Sequence, residues 1–120
     1  MKPENKANLQ RVFRAFGYSI KGLKAAYIHE AAFRQEVWLS FCLIPLGLYL
    51  GDGPIEKVLL VGSVLIVLVA ELLNSAVESV VDRIGSEFHE LSGRAKDIGS
   101  AAVFMAMVLT GFTWLLILFF

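Results

Sequence analysis

Glu71, Asn74, Glu78 and Asp82 follow one another at steps of three or four residues. On a helix they fall within about 80° of one another, with Glu71 and Glu78 roughly 10 Å apart along the axis. Immediately upstream, Val58 to Ala70 runs for 13 residues without a charge, so the stripe begins at membrane depth. A carboxylate there costs several kcal/mol unless it faces protein or water, and intramembrane acids mark functional sites. The structural alternative is a polar seam that joins helices. Such a seam seldom needs three acids, and three gathered on one face suit a cation site better. Glu30 and Glu78 can share a hard cation such as Mg²⁺, and Lys96 can neutralise a phosphate as a point charge. His89 reads as a hydrogen-bonding residue of a polar loop, and Arg94 with Asp97 as a surface pair.

The elements that must hold these residues are apolar helices. The chain has 120 residues, 57% of them hydrophobic, and a mean hydropathy of +0.66. That is one domain by length, and too apolar for an ordinary soluble one. Eleven basic and eleven acidic side chains cancel, so no polyanionic partner is implied. Cys42 is the only cysteine; it excludes an internal disulfide and a cysteine metal cluster, and reads as packing. The first 36 residues are mixed and polar and do not resemble a signal peptide.

Residues 9 to 27 carry Leu9, Val12, Phe13, Phe16, Ile20, Leu23 and Tyr27 at helical spacing, with Arg11, Arg14, Lys21 and Lys24 off that stripe. A basic polar face beside an aromatic one predicts an amphipathic helix in the headgroup region. Three hydrophobic segments follow. Val37 to Leu50 is about 21 Å of helix against a hydrocarbon core of about 30 Å. To span, it must recruit the turns that carry Glu30, Arg34 and Glu36, giving a helix over about 30–50, in which Pro45 is expected to produce a kink. Gly51-Asp52-Gly53-Pro54 forms a turn. The second segment covers about 55–81 and the third 101–120, joined by a polar 82–100 loop. The result is an all-α membrane protein with three transmembrane helices and an N-terminal interfacial helix.

Seven basic residues lie at or before Arg34, three in the 82–100 loop and one in the 51–57 turn. The excess puts the amino terminus and the 82–100 loop on the cytoplasmic side. The acidic stripe then climbs from membrane depth to the surface where a cytosolic nucleotide meets a lipid. No GxxxxGK[ST] loop and no kinase HRD or DFG triplet occurs, so nucleotide chemistry here would use neither common scaffold.

Three blocks carry a resemblance to the small bacterial integral-membrane diacylglycerol kinases. They are Glu30-Ala-Ala-Phe-Arg-Gln-Glu36, the stretch from Glu71 through Asn74, Glu78, Asp82 and His89 to Lys96-Asp97, and Gly17-Tyr18-Ser-Ile-Lys-Gly-Leu-Lys24. The resemblance covers nearly the whole chain and implies a homotrimer in the bacterial inner membrane. It implies transfer of the γ-phosphate of ATP to diacylglycerol, giving phosphatidic acid, with Mg²⁺. By position it implies Glu71 as general base, Asn74 as a positioning group, and Glu30 and Glu78 as metal ligands. Arg11, Tyr18, Glu30, Glu78, Glu87, Phe88, His89, Lys96 and Asp97 look like nucleotide contacts, and Arg11, Lys24, Glu36, Glu71 and Ser100 like contacts to the lipid substrate. The alternative within this chemistry is an undecaprenol kinase. A small multidrug or proton-coupled transporter is a rival of another class, but those usually show four compact hydrophobic segments rather than three.

Overall fold

The computed structural model describes residues 7–85, 87 and 89–120. It contains four helices among them: α1 (Leu9–His29), α2 (Ala31–Leu50), α3 (Gly53–Ile84) and α4 (Glu90–Phe119). α3 is the centre of the arrangement, packed most extensively on α4, then on α2, and only lightly on α1.

Each boundary has a local cause. The Asn8 side chain caps α1 by accepting from the Arg11 amide at 2.8 Å. At the other end the Arg34 guanidinium, one turn into α2, donates to the Tyr27 and Ile28 carbonyls, both at 2.8 Å. A cation on the last carbonyls of a helix satisfies orphan acceptors and complements the helix dipole. Glu30 is the hinge between α1 and α2, with an extended backbone (φ −117°, ψ 109°) and no capping bond from its side chain. α2 then runs through Pro45 without interruption. The turn into α3 needs a left-handed residue, and Gly53 supplies it at φ +82°. Glu56 reaches back to accept from the Asp52 amide at 2.8 Å.

The polar segment expected as an 82–100 loop is mostly helix. α3 runs through Asp82 to Ile84, only residues 85–89 connect, and α4 begins at Glu90, well before the apolar run at Ala101. His89 starts α4, its Nδ1 accepting from the Leu91 amide at 3.1 Å. Arg94 pairs with Glu90 one turn back, at 3.6 Å, rather than with Asp97. These first turns lack the apolar periodicity that marks a helix, and Gly93 and Gly99 gave them a loop-like composition.

α3 and α4 are long and apolar enough to cross a membrane. They are joined by side chains that donate to main-chain carbonyls: Thr110 Oγ1 to Ser63 at 2.8 Å and the Trp114 indole to Leu60 at 3.1 Å. Gly47 of α2 lets this pair come close; a Cβ there would meet the Leu60 side chain at 3.2 Å and the Trp114 ring at 3.4 Å. Large apolar side chains otherwise point outward on every helix, Phe16, Phe41, Leu73 and Phe112 among them. Cys42 is also exposed, so it does not pack within the chain.

Candidate functional site

The stripe on α3 is buried where it begins. Glu71 is 6% exposed, Asn74 8% and Ser75 6%, while Glu78 is half-buried and Asp82 exposed. A helix turn separates successive members, so they face different neighbours. Glu71 meets Glu36 of α2, the two carboxyl groups close enough to interact directly. Two carboxyl groups in contact need a cation, a shared proton or a donor from a substrate between them. Asn74 turns to α4 and meets Gly99. Ser75 lines a groove of about 590 Å³ between α1 and α3, with Glu30, His29 and Ser79 also on its walls.

Among the described residues, the buried polar atoms Glu36 Oε1, Asn74 Oδ1 and Ser75 Oγ have no hydrogen-bond partner. Buried polar groups are normally paired, because an unpaired one costs about 1–3 kcal/mol. The three open on different neighbours, Glu36 beside Glu71 and α4, Asn74 toward Gly99 of α4 and Ser75 into the α1–α3 groove, so each is free to accept a ligand donor or cation from its own side of α3.

Nearer the surface, Lys96 of α4 pairs with Asp82 of α3 at 2.7 Å. Lys96, a cation at neutral pH, places its charge beside Asp82 at the exposed end of the stripe. His89 presents its ring from the start of α4; with Nδ1 occupied by the helix cap, Nε2 remains to meet a ligand. Glu87 is exposed in the short connection, as are Asp97 and Ser100 on α4. Phe88 lies outside the described residues. Arg11, Tyr18 and Lys24 are exposed on α1 and do not line the groove.

Among the described residues no three His, Cys, Asp or Glu side chains converge as a metal cluster. A magnesium–nucleotide site needs only one or two protein carboxylates, since phosphate and water complete the shell. Glu30 and Glu78 make no ion pair among the described residues, and their hard oxygen donors fit that requirement.

Two residues of this site carried no sequence signal strong enough to be singled out. Ser75 lies four residues after Glu71, which places it on the same side of α3, yet a serine in an apolar helix ordinarily bonds its own backbone. Gly99 looked like loop composition.

The model of the prokaryotic diacylglycerol kinase family matches residues 17–118. A diacylglycerol kinase of Haemophilus influenzae is 55% identical over 112 residues, covering 93% of this chain and 95% of that protein. The diacylglycerol kinase of Escherichia coli K12 is 52% identical over 95% of this chain and 93% of its own. That of Pseudomonas aeruginosa is 45% identical over 96% and 94%. With the family's span and these relatives running through the whole acidic stripe and its partners on α2 and α4, the chain belongs to the prokaryotic diacylglycerol kinase family.

Proposed function

We propose that this chain transfers the γ-phosphate of ATP to the free hydroxyl of diacylglycerol, forming phosphatidic acid. The observation that carries the reading is the pairing of buried Glu71 with half-buried Glu36, on a helix whose next turn buries Asn74 and Ser75 with oxygens unpartnered among the described residues. Family membership supports the lipid and the nucleotide.

The lipid hydroxyl approaches Glu71 from the bilayer side. Glu71 takes its proton as the hydroxyl oxygen bonds to the γ-phosphorus and the bond to the β-phosphate oxygen breaks, releasing ADP. Glu36 holds the lipid headgroup against Glu71, and Asn74 orients the phosphoryl oxygens. Glu30 and Glu78 would hold the nucleotide's Mg²⁺, which would supply charge neutralisation for the phosphates. Lys96, paired with Asp82, binds the nucleotide with Arg11, Tyr18, Glu87, His89 and Asp97, and Lys24 and Ser100 contact the lipid. Phosphoryl transfer depends on alignment and charge more than on covalent help, which suits a site made of scattered single side chains.

In this reading α2, α3 and α4 cross the inner membrane, α1 lies on its cytoplasmic surface with the amino terminus, and three copies assemble. The apolar surface on all four helices supports both a bilayer and neighbouring copies. The transporter alternative has no support in the family match.

Purified protein in mixed micelles, given labelled ATP and diacylglycerol, undecaprenol or ceramide, tests the reading. Label should enter diacylglycerol in large excess over the other two. Preferential labelling of undecaprenol would overturn the lipid assignment, and no lipid-dependent ATP consumption would overturn the kinase.

A further inference from the structure

Gly47 lies against apolar side chains, Leu60 and Trp114, whereas Gly99 lies against a polar side chain of the stripe. A Cβ at Gly62 or Gly111 would meet nothing within 4 Å. A Cβ at Gly99 would overlap Asn74 Oδ1, and would stand 3.3 Å from Asn74 Cγ and 3.8 Å from its Cα. Glycine inside a helix is costly relative to alanine, so α4 carries a local disadvantage here with a specific spatial counterpart across the α3–α4 contact.

That counterpart is a side chain of the site. Asn74 is 8% exposed and its Oδ1 is buried without a hydrogen-bond partner among the described residues. None of these supplies a donor to this oxygen, so its direction follows the shape of its surroundings, and the nearest of these is the bare backbone of Gly99. α3 cannot easily draw back, because Thr110 and Trp114 hold it to α4 further along the same contact. A methyl group at position 99 must therefore displace the Asn74 amide.

We propose that Gly99 is a positioning residue for phosphoryl transfer, its missing side chain setting the direction of the Asn74 amide between Glu71 and Glu78. The proposal rests on the reading that Asn74 serves the reaction. Displacing a positioning group by about 1 Å can cost on the order of 10²-fold in rate. Gly99→Ala should thus lower kcat at least ~10-fold while the KM values for ATP and diacylglycerol change little.

Four proteins in the same micelles separate the outcomes: wild type, Gly99→Ala, Asn74→Ala and the double variant. If Gly99 acts through Asn74, adding Gly99→Ala to Asn74→Ala costs nothing further, since the clash is gone. An equal loss in both backgrounds, or wild-type kcat in Gly99→Ala, overturns the proposal. Should Gly99→Ala fail to assemble, recovery in the double variant supports the contact, and failure of both makes Gly99 a packing residue. The Asn74 side-chain amide resonance, assigned by its loss in Asn74→Ala, gives a readout independent of turnover. It should shift in Gly99→Ala and stay in place in Gly62→Ala. An unmoved signal overturns the proposal alone. Wild-type turnover in Asn74→Ala overturns the role of Asn74, and the proposal with it.

Discussion

Glu71 is the deepest acid of the stripe and faces a second carboxyl, Glu36, across the α2–α3 contact. Under the proposed mechanism Glu71→Gln keeps the shape and removes the base. It should assemble normally and lose about 10²–10⁴-fold in kcat; steady-state turnover beside a detergent-melting curve checks this, and more than a tenth of wild-type turnover would exclude the base. Glu30 and Glu78 make a different prediction. If both hold the same ion, Glu30→Gln and Glu78→Gln should each raise the Mg²⁺ concentration needed for half-maximal rate, and their combined effect should not be additive. A magnesium titration at saturating ATP measures it, and unchanged metal dependence in both would return the two acids to a structural role. What chemistry the residues could do was readable from type and spacing along α3. Which neighbour each one faces was not, because Glu36, Gly99 and Lys96 are distant in sequence and meet the stripe only through packing.

Among the elements, α1 and α3 were legible because their apolar residues repeat at helical spacing or run unbroken. The early turns of α4 were not, for the opposite reason: their order comes from the His89 cap, the Glu90–Arg94 pair and the Lys96–Asp82 bond, which leave no hydrophobic pattern. Arg34 shows the same limit. It looked like a charge to be carried into a span, and it is the cap that finishes α1. Hydrogen bonds from a charged donor are worth about 1.5–3 kcal/mol each in place. Arg34→Met should therefore loosen the α1–α2 corner and lower the melting temperature. Arg11→Ala, exposed near the start of α1, should leave melting unchanged and raise the KM for ATP if it touches a phosphate. The two variants compared by melting and by ATP titration separate anchoring from nucleotide contact; a melting loss in Arg11→Ala with intact ATP kinetics would make α1 an anchor only.

At the scale of the molecule, the chain is a slab of 50 × 42 × 23 Å in which Leu60 is the one wholly buried large side chain among the described residues. So small a core cannot hold 120 residues in water, and the apolar exterior requires lipid or further copies around it. In the proposed arrangement the 51–57 turn and the 85–89 connection lie on opposite sides of the membrane. With Cys42 replaced by serine, single cysteines at Asp52 and Glu90 should react with an impermeant reagent in intact cells only at position 52. Reaction of both from one side would remove the three-span arrangement. The Trp114 indole proton, held by the Leu60 carbonyl with the ring against Gly47, makes a built-in clock. It can exchange with deuterium only when α3 and α4 part, so its resonance should outlast that of the exposed Trp38 in heavy water. Its decay would time the breathing of the helix bundle without any added label.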